Sequence, residues 1–129
     1  MKKNITIRKS QSVDSFLQDA SKHPLLTIEE EVMLAKRVQQ GDEDEDAMKR
    51  LYEANLRFVV SVAKQYQNRG KSMEELIEAG NKGLELAARR FDPQRGFKFI
   101  AYAVWFIRAS ILAFLETSKN NVNISNLTI

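Results

Sequence analysis

Residues 70–96 read GKSMEELIEAGNKGLELAARRFDPQRG. Ser72, followed three residues later by Glu75, has the spacing of a capping box, in which each side chain accepts a hydrogen bond from the other residue's amide. Leu76, Ile77, Gly80, Leu84, Ala87, Ala88 and Phe91 then fall on one face of a helix. Asp92-Pro93-Gln94-Arg95-Gly96 ends it, because proline and glycine both interrupt helix. The stretch therefore contains a helix with its start, its buried face and its stop.

The same grammar extends outward. Thr27-Ile28-Glu29-Glu30 repeats the capping signature and predicts a helix to about Gln40, closed by Gly41. Leu51, Phe58, Val59, Val62, Ala63 and Tyr66 mark a longer helix between Gly41 and Gly70. A shorter amphipathic segment runs from Val13 to about Ser21, ahead of His23-Pro24. No strand pairing and no internal repeat is visible, so the expected class is all-α. The expected organisation is a flexible basic N-terminus over 1–11, one helical domain over 12–117, and an irregular Asn- and Ser-rich tail over 118–129.

Bulk composition narrows the function. A chain of 129 residues suits one domain. No cysteine is present, which excludes a disulfide framework and thiolate metal sites. The single histidine, His23, supports neither a metal cluster nor a general base. GDEDEDA (41–47) lacks the ligand spacing and closing glutamate of a calcium loop and reads as a helix start or a solvated turn. Catalysis, metal ions and cofactors are not expected. The apolar run between Lys98 and Arg108 is shorter than a bilayer span of about 20 residues. A soluble cytoplasmic protein with no membrane partner is expected.

Charge is segregated. Lys2, Lys3, Arg8 and Lys9 give residues 1–10 a charge of +4, and residues 89–129 also carry +4, which leaves −5 between them within a total of +3. Ends and centre of opposite sign suit two different partners.

The basic C-terminal part contains RGFKFIAYAVWFIRASI (95–111). On a helical wheel Ile100, Val104, Ile107, Ile111 and Phe114, with Ala103, form an aliphatic face suited to the core. The opposite face carries Lys98, Tyr102, Trp105, Ala109 and Leu112, flanked by Arg108, Phe99 and Phe106. Cations mixed with aromatic rings suit nucleic acid, because bases stack on rings for about 1–3 kcal/mol each while Lys and Arg hold phosphates. Coverage by another helix, with snorkelling cations, fits the wheel equally well.

Three stretches carry a family resemblance. EANLRFVVSVAKQYQNRG (53–70) and ELIEAGNKGLELAARRFDPQRGFKFIAYAVWFIR (75–108) resemble the second conserved region of primary-type bacterial sigma factors. SVDSFLQDASKHPLLTIEEEVMLAKRVQQGD (12–42) resembles the region before it. The resemblance implies a compact multi-helix domain that docks on the clamp coiled coil of core RNA polymerase and melts the minus-ten promoter element. It places Glu75, Leu76, Ile77, Glu78 and Asn81 in the polymerase patch. It places Phe97, Phe99 and Tyr102 around a flipped non-template base, with Arg95 and Lys98 on the backbone. Trp105 and Phe106 become the wedge at the upstream edge, Arg108 a phosphate ligand, and Asn55 a neighbour of a second flipped base. An anti-sigma factor joins the partners to be expected.

The resemblance has gaps. Phe106 stands where the family has the second of two tryptophans, and Ala109 replaces a glutamine that reads the duplex edge. Glu78-Ala79 stands for Gln-Glu, and the sequence closes before the domains that contact the extended and minus-thirty-five elements. Two alternatives follow: a sigma-like regulator that binds polymerase without supporting initiation, and an interaction bundle whose aromatic face is covered by self-association.

Overall fold

The computed structural model describes residues 13–41, 45–95 and 98–120, with side chains through Thr117. Its elements are α1 (Val13–Ala20), α2 (Ile28–Gln39), α3 (Asp46–Lys64), α4 (Met73–Arg90), a 3-10 turn (Pro93–Arg95) and α5 (Phe99–Asn120). No strand occurs among the described residues, and the class is all-α.

Both capping boxes form. The Glu30 amide donates to Thr27 Oγ1 at 3.1 Å while the Thr27 amide donates to Glu30 Oε1 at 2.8 Å. At α4 the Glu75 amide donates to Ser72 Oγ at 3.1 Å and the Ser72 amide to Glu75 Oε1 at 2.9 Å. Gly41 closes α2 with φ +81° and donates its amide to Val38 O, a left-handed conformation that costs glycine nothing. The α3 end differs from expectation. The helix stops at Lys64, and the chain turns through Asn68 at φ 65° before Gly70 at φ 92°. Gly70 thus belongs to the connection and does not cap the helix.

Fully buried Leu51, Val59, Val60, Leu76, Ile77, Leu84, Ile107 and Ile111 build one core from α3, α4 and α5. Each contributes about 1.5–3 kcal/mol by leaving water. α4 packs most extensively on α5, while α1 and α2 cover α3, and α2 also reaches α4 and α5. Glycines set how closely α4 packs on α3 and α5. A β-carbon at Gly80 would lie 2.8 Å from Val59 Cγ1, and one at Gly83 would run into the main chain of Phe106.

Two details differ from the sequence reading. Ser118, Lys119 and Asn120 continue α5, so the first part of the expected irregular tail is helical; residues 121–129 lie outside the described residues, as do 1–12. The span Phe99–Thr117 is also long and apolar enough to cross a membrane by length and composition, with a mean hydropathy of 1.7. A run counted between cations stops at Arg108, whereas a bilayer-length window contains it.

Candidate nucleic-acid interface

The end of α4, the 3-10 turn and the start of α5 bring an aromatic row to the surface. Phe91 meets Phe99 edge-on at 5.2 Å between centroids and Tyr102 at 5.9 Å, and Tyr102 meets Phe106 at 5.1 Å. The row starts in the core, where Phe99 and Phe91 are buried, and ends half-exposed at Tyr102 and Phe106. The Tyr102 hydroxyl donates to Arg90 O at 3.3 Å, and the Arg90 guanidinium lies 5.9 Å from the Phe106 ring centroid. That distance is within the reach of a cation–π contact. Trp105 stands beside this row with 73% of its surface exposed.

Two contacts fix the row. Gln39 of α2 donates from Nε2 to Ala88 O at 2.9 Å and to Phe91 O at 2.8 Å, satisfying carbonyls that the end of α4 leaves open. The Gln94 amide donates to Asp92 Oδ1 at 3.0 Å and so shapes the turn.

Cations surround the rings. Arg89, Arg90, Arg95, Lys98 and Arg108 are all exposed. Arg89 is held by Glu85 at 2.7 Å, and Glu85 in turn accepts from the Tyr52 hydroxyl at 3.4 Å. Burial, followed by the Glu85 carboxylate, pushes the Tyr52 phenol up to about 12. Half-buried Glu31 of α2 has its carboxyl raised by burial, and Lys98 partly offsets this.

The expected site residues fall into three groups. Arg95, Lys98, Trp105 and Arg108 are exposed, and Tyr102 and Phe106 are half-buried. Phe99, by contrast, is 1% exposed and offers no face to a base. It lies at the edge of the inner face of α5, and its edge-on contact with Phe91 takes it into the core. Asn55 is also buried, with Nδ2 donating to Leu51 O at 2.9 Å within its own helix. Phe97 lies outside the described residues.

In the expected polymerase patch, Leu76 and Ile77 are fully buried core residues. Glu75 is exposed but engaged in the capping box, and Glu78 is exposed. Asn81 is half-buried, and its Oδ1 accepts no hydrogen bond among the described residues. Ala79 is buried, so its difference from the family pattern is a packing difference as much as a surface one. Sequence reasoning missed Arg90, Gln39 and Gly83. Arg90 had a signal in the Arg89-Arg90 pair preceding Phe91; Gln39 had none. Among the described residues, no cluster of His, Asp or Glu is placed to hold a metal ion.

A helical core that presents rings and cations on one outer helix matches a known class. The chain belongs to the sigma-70 family: residues 51–120 match the family model described as Sigma-70 region 2, and residues 12–44 match Sigma-70 factor, region 1.2. It is 43% identical over 118 residues to RNA polymerase sigma factor SigA of Bacillus sp, covering 92% of this chain and 31% of that protein. It is 46% identical over 123 residues to RNA polymerase sigma factor RpoS of Coxiella burnetii, covering 95% and 34%. With SigA of Clostridium acetobutylicum it shares 42% over 125 residues, covering 94% and 32%. The chain spans about a third of the length of the curated relatives it matches.

Proposed function

We infer that this chain is a transcription-initiation module that docks on core RNA polymerase and holds unstacked non-template bases of the minus-ten element on the outer side of α5. The observation that carries the reading is Trp105, 73% exposed beside half-buried Tyr102 and Phe106 and among exposed Arg95, Lys98 and Arg108. An exposed indole beside half-buried rings and among cations is a surface on which an unstacked base can lie. Unstacking a base costs a few kcal/mol, and ring stacking can return a similar amount without ATP.

Within this reading Trp105 and Phe106 wedge the upstream edge of the bubble, and Tyr102 stacks on a flipped base. Arg95, Lys98 and Arg108 neutralise phosphates. Phe99 acts one step back, holding Tyr102 in place through Phe91. Asn55 contacts a base only if α3 opens locally, since its side chain is buried. Glu78 and Asn81 face the polymerase, although Asn81 Oδ1 itself is buried and accepts no hydrogen bond among the described residues. Buried Leu76 and Ile77 support that patch from below. The activity is non-catalytic and belongs in the bacterial cytoplasm with the polymerase.

The test is a binding assay with core polymerase, together with a Trp105 fluorescence titration using a TATAAT-type single strand. Retention by polymerase that Glu78→Gln alters, and fluorescence change on adding the strand, are expected. A folded chain that binds neither at micromolar concentration overturns the reading.

One observation favours a second reading, a regulator that occupies polymerase without directing initiation. Ala109 is exposed on the outer face of α5, where reading a base pair needs a hydrogen-bonding side chain. In vitro transcription separates the two, because the regulator yields no promoter-dependent product and competes with a complete sigma factor.

A further inference from the structure

The core uses only one face of α5. Phe99, Ala103, Ile107 and Ile111 are buried on that inner side, four residues apart. On the outer side Lys98, Tyr102, Trp105, Ala109, Leu112 and Glu116 recur at alternating spacings of four and three, the period of a helix-pairing seam. Trp105 is 73% and Leu112 43% exposed; Lys98, Ala109 and Glu116 are exposed, and Tyr102 is half-buried. A seam of this period on a helix that already has a core face calls for a second helix.

The seam is complementary to itself. When two copies of α5 are laid antiparallel about a two-fold axis at Ile107, each position meets the one equally far on the other side. Lys98 then faces Glu116 of the other copy, Tyr102 faces Leu112, and Trp105 faces Ala109. Every layer is matched: cation with anion, ring with aliphatic chain, the largest side chain with the smallest.

The end charges add a second argument. Lys98, whose carbonyl accepts the first α5 hydrogen bonds, sits at the positive end of the helix dipole, and Glu116 lies toward the negative end. Lys98 is disfavoured there in an isolated helix, and an antiparallel copy places the Glu116 carboxylate beside it. Lys98 also lies near Glu31 of α2, so that residue takes part in the same charge cluster.

We propose that the outer seam of α5 is a self-association surface, pairing two copies of this chain antiparallel in a two-fold dimer through Trp105–Ala109, Tyr102–Leu112 and Lys98–Glu116 layers. The seam is about 27 Å long at 1.5 Å per residue, and one helix pair falls at the small end of stable interfaces, so the dimer forms reversibly in the micromolar range. It covers Trp105, and the dimer is therefore a stored form in which the α5 face is unavailable to any other ligand. Periodicity, exposure and charge pairing along α5 carry this dimer, independently of the nucleic-acid reading.

Sedimentation equilibrium of the 129-residue chain across the micromolar range tests it, with acrylamide quenching of Trp105 followed in parallel. A concentration-dependent dimer in which Trp105 becomes shielded is expected. Lys98→Glu faces like charge with like, as does Glu116→Lys, and each variant alone should dimerise at least several-fold more weakly while keeping its helical circular dichroism. Mixing the two single variants restores opposite charges in both end layers, so the mixture should form a heterodimer that neither forms alone. A monomer at every concentration overturns the proposal, as does a dimer indifferent to both charge reversals. Binding to anionic phospholipid vesicles without self-association overturns it in favour of a membrane surface. A monomer that still binds the single strand overturns it and leaves the nucleic-acid reading intact.

Discussion

Gly83 of α4 lies directly against the main chain of Phe106 in α5. A β-carbon there would stand 2.6 Å from the Phe106 carbonyl carbon, 2.8 Å from Ile107 Cα, and closer still to the Phe106 carbonyl oxygen. Backbone cannot rotate away as a side chain can. Although alanine favours helix by about 1 kcal/mol over glycine, Gly83→Ala must push α4 and α5 apart. A net loss of about 1–3 kcal/mol in urea unfolding is expected. The exposed neighbour substitution Lys82→Ala should stay within about 0.5 kcal/mol.

Gln39 reaches across from α2 to two carbonyls of another element. Gln39→Ala leaves Ala88 O and Phe91 O without that donor and should cost about 1–2 kcal/mol. Hydrogen exchange should rise at the last turn of α4 before it rises in the centre of that helix.

Trp105 and Phe99 separate surface function from core support. Trp105→Ala should change stability by no more than about 0.5 kcal/mol, because the ring is mostly in water. Single-strand affinity should fall about 5- to 100-fold, the equivalent of one lost stack. Phe99→Ala should cost about 3–5 kcal/mol of stability. Equal strand affinity for Trp105→Ala and the parent would remove stacking from the account.

Tyr52 sets an alkaline dependence. Its phenol is raised in the folded state from 10.0 to about 12, by burial first and then by Glu85. The folded protein therefore holds a proton that the unfolded chain releases, and stability falls as pH rises from about 10 toward 12. Tyr52→Phe should remove this contribution, seen as a shallower decline of the unfolding midpoint over that window.

Helix starts and core positions were legible because they depend on local chemistry. Thr27 with Glu30, and Ser72 with Glu75, carry their caps within one turn, and Leu84 or Ala87 is assigned by period alone. The outward face of α5 was legible for the same reason: Trp105, Ala109 and Leu112 are exposed as the wheel places them. What a wheel lacks is the tertiary partner. Phe99 lies at the edge of both faces, and only the approach of Phe91 from the end of α4 assigns it to the core. Asn55 is polar and reads as surface, yet it hydrogen-bonds back to Leu51 O and is buried. Gln39 touches residues about fifty positions away, a distance over which no periodicity operates.

The Gln39 contacts also bear on how this chain can be inherited and cut. Its two family segments are separately recognisable, residues 12–44 and 51–120, yet the amide from the first closes the last turn of α4 in the second. Recombination at that seam would exchange halves of one cooperative unit, and the incoming half would need a donor at the same place. A protease nick in the connection should leave the two pieces associated, whereas expressing residues 51–120 alone should yield an α4 frayed at the end that carries Phe91.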